Sequence, residues 1–222
     1  MVEEYKNPAV TVDSLILRMH KNNLEVLTIK RDSEPFIKMP PLLGGFVKYG
    51  ETIDEALIRI LRDKANFCFQ DNMQSIILPI VSDDKNDVRG WIFTVPVIVM
   101  TKDFDPTDSN LVWYPVRLDE LGKLKFSENL AFDHNHVLEV SLNHLRNRLL
   151  LHNYQVLQPL LSDLFTSRDL YTAVYNLTGQ ERTLSNFMRE TAVKKAIVST
   201  GKRAIAKTGG PSGQPSLLYK WR

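Results

Sequence analysis

Cysteine is nearly absent: Cys68 is the only one in 222 residues, so no internal disulfide can form. Standing alone, it reads as a small, half-buried residue rather than a nucleophile. Long apolar runs are missing as well. The longest, Val95 to Met100 with its neighbours Trp91 to Phe93, falls far short of the ~18 residues that a membrane span needs. The first ten residues, MVEEYKNPAV, lack the basic start and apolar stretch of a secretory signal. A reducing cytoplasm is the expected compartment, with no membrane partner. No internal repeat or low-complexity tract is visible. What is present is ordinary for a soluble chain, 43% hydrophobic and 24% charged. Such a length supports one core of ~150 residues and a smaller appended unit.

The net charge of +2 hides a partition. From Phe165 to Arg222 there are ten basic and three acidic residues, a balance of +7, while the preceding 164 residues carry −5. A basic end piece on an acidic body suits nucleic-acid binding, because each phosphate contact releases counterions. A merely solvated basic face would give the same count. Charge alone leaves both readings open.

Periodicity and breakers divide the chain. Ala9 to Arg18 and Leu24 to Ile29 read as strands split by the turn His20-Lys21-Asn22-Asn23. Pro40-Pro41 marks a loop leading into Leu42-Leu43-Gly44-Gly45. Ile53, Ala56, Leu57, Ile60 and Leu61 recur at helical spacing, with Thr52 and Glu55 placed for a capping box. Strands are predicted at Ser75–Val81, Gly90–Met100 and Leu111–Pro115, and a helix at His136–Leu151. Asn153 to Ser162, carrying Pro159, reads as a connector. The expected division is 1–154, a linker at 155–164, and 165–222.

The second unit reads as helix, turn, helix and hairpin. Leu170, Val174 and Leu177 lie at helical spacing between a Thr166–Asp169 capping box and a C-terminal Gly179. A second helix begins near Thr183 or Ser185 and exposes Asn186, Arg189 and Lys194 between the apolar Phe187, Val193 and Ile197. Ile197–Ser199 and Leu217–Trp221 can pair around a Gly-, Pro- and Lys-rich tip. That is the plan of a winged helix-turn-helix, which puts its second helix in the major groove and its wing on phosphates or in the minor groove.

The stretch Gly45 to Phe67 spaces Gly45, Glu51 and Arg59 with five and seven residues between them. That frame resembles the Nudix box, G-x5-E-x7-R-E-U-x-E-E-x-G-U, where U is a bulky aliphatic residue. The acidic positions depart from it: Arg59-Ile60 and Asp63-Lys64 stand in place of Arg-Glu and Glu-Glu, and Asn66 in place of the late Gly. In working Nudix hydrolases those glutamates hold Mg²⁺ on a pyrophosphate, and such hard cations require oxygen ligands. One carboxylate beside an ammonium cannot supply that shell. The expectation is a Nudix domain that binds but does not cut, with no catalytic residue, no metal and no cofactor.

Four stretches extend the resemblance over nearly the whole chain: Leu43-Gly44-Gly45-Phe46-Val47, Asp87-Val88-Arg89-Gly90, Leu130-Ala131-Phe132-Asp133-His134 and the tail, with Asn186-Phe187-x-Arg189 and Leu218-Tyr219-Lys220-Trp221. The chain is similar to the Nudix-related transcriptional regulators, associated with control of NAD and sugar metabolism. The resemblance implies an α/β (α+β) fold, a Nudix-like α/β/α sandwich with a mixed sheet followed by a C-terminal winged helix-turn-helix. It further implies a homodimer, operator DNA as partner, and an effector such as ADP-ribose, a related nucleotide or a phosphorylated sugar. Close relatives are richer in arginine around Asn-Phe, where Ser185, Met188 and Glu190 stand here.

Candidate ligand-binding residues are Arg31, Lys38, Gly44, Gly45, Glu51 and Arg89. A guanidinium can grip phosphate bidentately, and glycine admits close backbone approach. Glu51 equally suits a helix start, and Arg59 can bond Glu51 or a carbonyl. Asp133-His134 reads as a structural pair orienting the long helix. Candidate DNA contacts are Asn186, Arg189, Lys194, Lys195, Lys202, Arg203 and Lys207, with Asn186 able to read adenine. Three functions stay open: a ligand-responsive repressor, a weak or atypical hydrolase of nucleoside diphosphate derivatives, and a binding module whose winged helix contacts protein.

Overall fold

The computed structural model describes residues 8–68, 74–83, 90–102, 104–120, 124–204 and 215–222. Arg89 and Lys207 lie outside the described residues. Strand β1 (Ala9–His20) turns through Lys21 and Asn22, both at positive φ (46° and 70°), into β2 (Asn23–Ile29). Two such residues make the hairpin turn whose twist matches the strands it joins. After β3 (Leu43–Phe46) comes helix α1 (Ile53–Ala65). Thr52 and Glu55 cap it reciprocally, and it closes on Asn66 at φ 49°. Asparagine is the usual substitute for glycine in that left-handed cap, so the altered box keeps its helix end.

The sheet continues with β4 (Gln74–Ile77), β5 (Val81–Asp83), β6 (Ile92–Met100), β7 (Leu111–Leu118) and β8 (Leu124–Phe126). The strand expected at Ser75–Val81 is thus divided around Pro79, which has no N–H to give a ladder. β1 is the organiser. It pairs parallel with β6 along its length, antiparallel with β2 at its C-terminal half and antiparallel with β3 at its N-terminal half. Side chains alternate across this mixed sheet. Val12, Ile16, Leu27 and Val97 pack under α1, while Leu15, Leu17, Val26 and Ile98 pack under α2 (His134–Leu150). Cys68, expected half-buried, is exposed beyond α1.

The α2-side core does not end with the sandwich. A 3-10 helix, Tyr154–Leu160, follows, and Tyr154, Leu157 and Leu160 are buried in the same cluster as Leu145 and Phe187. The segment read as a connector is therefore packed. Then come β9 (Phe165–Thr166), α3 (Ser167–Thr178), α4 (Leu184–Arg189), α5 (Thr191–Ala196), β10 (Ile197–Arg203) and β11 (Leu217–Trp221). Thr166 and Asp169 form the expected capping box, and Gly179 takes the left-handed C-cap at φ 68°. β11 pairs with β10 as expected, with Ile197 opposite Trp221, and adds β9 on its other edge. Three helices and a three-stranded sheet make up this unit, where the sequence predicted helix, turn, helix and hairpin.

One element differs. The helix expected from Thr183 onward is broken at Glu190, whose ψ of 134° interrupts the ladder between α4 and α5. Its carboxylate accepts hydrogen bonds from the Tyr154 hydroxyl (2.9 Å) and Arg182. Those partners lie outside the helical repeat, which is why periodicity missed the break. No helix among the described residues is long and apolar enough to cross a membrane.

Candidate functional site

The box region has spent its charges on itself. Glu51 receives Arg59 through two bonds, Nε at 2.5 Å and Nη2 at 2.8 Å, and the Lys48 backbone N–H at 2.9 Å. Arg59 also donates to the Phe46 carbonyl at 2.8 Å, so the arginine fastens α1 to the loop before it. These bonds, from Arg59 first and then Lys48, hold the Glu51 carboxyl at a pKa of about 2, below its usual 4.5. A depressed carboxylate stabilises the fold fully above its unfolded value and loses that contribution as pH falls. We expect the stability gap between wild type and Arg59→Met to be constant above pH 4.5 and to shrink toward pH 2. Urea melts measure it; a gap that does not narrow on the acid side would assign the loss to packing.

The other box positions bring no metal ligands. Ile60, 2% exposed, belongs to the core beneath the sheet. Asp63 pairs with Arg62 at 3.1 Å. Lys64 donates its ammonium to the Gly44 carbonyl. Among the described residues no three His, Cys, Asp or Glu side chains converge as a metal shell. The Mg²⁺ that the box implies for a working hydrolase does not fit these side chains, because an ammonium stands where a carboxylate would be needed.

A cavity of about 230 Å³ opens beside this lysine. Thr11 and Asp13 reach it from β1, Arg31 from the loop after β2, Gly44 and Gly45 from β3, and His134 from the start of α2. Asp13 and His134 are both buried, with His134 Nε2 at 3.4 Å from Asp13 Oδ1. His134 Nδ1 accepts the Leu42 N–H at 2.8 Å, which leaves the ring hydrogen on Nε2, facing the carboxylate. Thr11 donates to the other Asp13 oxygen at 3.1 Å. The sequence reading paired His134 with its neighbour Asp133 and did not name Asp13. Gly44 is required here: a Cβ on it would lie 1.6 Å from Asp13 Oδ1 and 2.9 Å from the Val12 carbonyl.

The sequence candidates separate on this geometry. Gly44, Gly45 and Arg31 line the cavity. Arg31 is partly engaged, donating to the carbonyls of Pro35 (2.7 Å) and Glu34 (3.2 Å), with its guanidinium 5.1 Å from the Phe132 ring centre. Lys38 is exposed outside the lining, and Glu51 is held away by Arg59. Asp13 escaped the sequence reading, although one carboxylate inside the apolar strand AVTVDSLILR was a usable signal. Lys64 was read as a lost glutamate, and its bond to Gly44 was not foreseen.

In the C-terminal unit, Asn186 and Arg189 are exposed on α4, Lys194 and Lys195 on α5, and Lys202 and Arg203 on β10. Thr183, not Asn186, caps α4. Behind them the buried Tyr154 joins the 3-10 helix to the α4–α5 junction through Glu190, which Arg182 also grips. Burial, and secondarily the bond to Glu190, push the Tyr154 hydroxyl above its usual pKa.

No protein-family model matches the chain. It is 30% identical over 137 residues to an ADP-ribose pyrophosphatase of Methanocaldococcus jannaschii, covering 61% of this chain and 73% of that protein. Its structure is similar to a MutT/nudix family protein from Enterococcus faecalis, with a TM-score of 0.75 at 23% identity over 99% of this chain and 90% of the other. It also resembles Shewanella oneidensis NrtR bound to a 27mer DNA, with a TM-score of 0.73 at 24% identity, covering 96% and 93% of the two chains. The NUDIX domain of that NrtR in complex with ADP ribose aligns at a TM-score of 0.50 and 25% identity, over 65% of this chain and 93% of the other.

Proposed function

The chain belongs to the Nudix family, and on that premise we propose that it is one of the Nudix-related regulators, a ligand-responsive transcriptional repressor. Its effector is ADP-ribose, a related nucleotide or a phosphorylated sugar, and its targets lie in NAD or sugar metabolism. The observation that carries this reading is the box itself: Glu51 is committed to Arg59, and Lys64 stands at a metal-ligand position on the Gly44 carbonyl. The domain keeps a polar cavity, and among the described residues no three His, Cys, Asp or Glu side chains gather to hold Mg²⁺ there. A homodimer would present two copies of the C-terminal unit to a two-fold operator. Arg189, Lys194, Lys195, Lys202 and Arg203 would meet phosphates, and Asn186 a base edge.

The path from cavity to DNA is short in elements. His134, in the cavity wall, begins α2; α2 leads into Tyr154, and Tyr154 bonds Glu190 between α4 and α5. A ligand switches this system only if it binds the DNA-competent and incompetent forms with different affinity. A hundredfold change in operator affinity requires about 2.7 kcal/mol of coupling. Release of DNA on ligand binding is the direction we propose.

The test is a mobility-shift assay at fixed salt with DNA from the protein's own gene neighbourhood, titrated with ADP-ribose, NAD-pathway nucleotides and phosphorylated pentoses. A sequence-selective shift changed by one ligand is expected. Arg189→Ala should weaken that shift roughly tenfold, or about 1.4 kcal/mol, with ligand affinity unchanged. If no shift survives competitor DNA, the regulator reading fails. The second reading, a weak hydrolase, draws on the M. jannaschii pyrophosphatase. Mg²⁺-dependent, EDTA-sensitive cleavage of ADP-ribose by the unmodified protein would favour it.

A further inference from the structure

We propose that Tyr154 is a positioning residue for DNA recognition: through Glu190 its hydroxyl fixes the angle between α4 and α5, the two short helices that carry Asn186, Arg189, Lys194 and Lys195. The inference rests on the regulator reading above and names what sets the geometry of its DNA-reading segment. Helices α4 and α5 have six residues each, far below the ~12–15 at which a helix begins to hold its own shape in water. Their orientation therefore comes from what they are fastened to. Phe187 on α4 and Val193 on α5 are both 0% exposed. On a straight helix, at ~100° per residue, these two side chains would point about 120° apart. Both reach one core because Glu190, between them, has φ −59° and ψ 134°.

Glu190 is the joint. Its N–H closes α4 on the Phe187 carbonyl at 3.1 Å, and its own carbonyl opens α5 by accepting the Lys194 N–H at 3.0 Å. Its side chain takes no part in capping α5. Instead Oε2 accepts the Tyr154 hydroxyl at 2.9 Å, and Oε1 accepts Arg182. Hydrogen bonds to an ionised carboxylate are roughly twice as strong as neutral ones. Arg182 immediately precedes α4 and its cap Thr183, so it moves with that helix. Tyr154 belongs to the 3-10 helix and is 1% exposed, its ring edge to face with Phe187. The tyrosine is thus the fixed point against which the joint is set. Phosphate contacts tolerate a change in that angle, because a long lysine can follow its phosphate. Base-edge contacts, with their fixed pattern of donors and acceptors, do not.

The experiment compares fluorescence anisotropy of the full-length protein on two duplexes of equal length at fixed salt, one from its own gene neighbourhood and one scrambled. Tyr154→Phe keeps the charge and the ring and removes only the hydroxyl. It should lower the preference for the first duplex about tenfold, a step of about 1.4 kcal/mol. Binding to the scrambled duplex should stay within about twofold of wild type, since the phosphate contacts remain. Glu190→Ala and Glu190→Gln lose the same charge, but only glutamine can still accept from Tyr154. Glutamine should keep most of the preference, and alanine should lose about tenfold. Hydrogen exchange without DNA supplies the second readout. The Lys194 amide should exchange roughly tenfold faster in Tyr154→Phe, with the α3 amides unchanged. An unchanged preference, equal losses in Glu190→Ala and Glu190→Gln, or exchange that rises equally in α3 would overturn the proposal, the last by showing general loosening. The wild type separates the two ideas. If it prefers neither duplex, the regulator reading fails and this proposal with it. A wild-type preference that survives Tyr154→Phe overturns this proposal alone.

Discussion

Replacing Phe187 by alanine should destabilise the protein by about 3–5 kcal/mol, the range for a buried aromatic truncated to a methyl group. Phe187 is 0% exposed, and its ring meets Tyr154 at 5.7 Å and Tyr171 at 5.5 Å between centroids, both edge to face. Such pairs add ~0.5–1.5 kcal/mol beyond area burial. Against a total stability of ~5–15 kcal/mol the loss is large. It should also be shared. Because Phe187, Leu157, Leu145 and Leu17 belong to one buried cluster, urea unfolding followed by tyrosine fluorescence and by far-ultraviolet dichroism should give one coincident transition at a lower midpoint. Two separated transitions would show that the C-terminal unit melts alone. A loss below about 1 kcal/mol would contradict the burial of this ring.

Restoring the first missing box acid should also be costly. Ile60→Glu places a carboxylate at a site 2% exposed among Leu57, Leu61, Val95 and Val97. The space is tight as well, since a Cβ on Gly45 would already meet Ile60 Cγ1 at 3.3 Å. An unpaired buried charge costs ~3–5 kcal/mol, and the group can escape part of that only by taking up a proton. Stability of Ile60→Glu should therefore improve relative to wild type as pH falls, opposite in sign to the Glu51–Arg59 pair. Chemical denaturation across pH measures both. Wild-type stability in Ile60→Glu at neutral pH would mean that this face of α1 is open to solvent or metal, and the non-hydrolytic reading would weaken with it. Lys64→Glu, at an exposed position, lacks this penalty, so the two substitutions distinguish a fold defect from a missing ligand.

The two variants mark where sequence reasoning was strong and where it stopped. Ile60 was legible twice, as a departure from the Nudix frame and as a member of the helical stripe with Ala56, Leu57 and Leu61. Lys64 was legible as an absence. Its bond to Gly44 joins α1 to β3, and nothing in the spacing of the two residues says that they touch. The Glu190 break is of the same kind. Residues 183–197 carry a helical pattern, yet Tyr154 and Arg182 draw the Glu190 carboxylate away and the backbone there turns extended.

The sequence by itself determined what is settled within a few residues: the hairpin turn at Lys21-Asn22, the capping boxes at Thr52 and Thr166, the Gly179 cap, the alternation of β1 and the loss of the box glutamates. Each is decided by backbone sterics, by hydrogen bonds to near neighbours or by the chemistry of one side chain. Only the tertiary structure decided that His134 meets Asp13, that its ring accepts the Leu42 N–H from 92 residues away, and that the connector at Tyr154 is buried. Those outcomes depend on which groups packing brings together out of water, where a polar atom must find a partner wherever the chain supplies one.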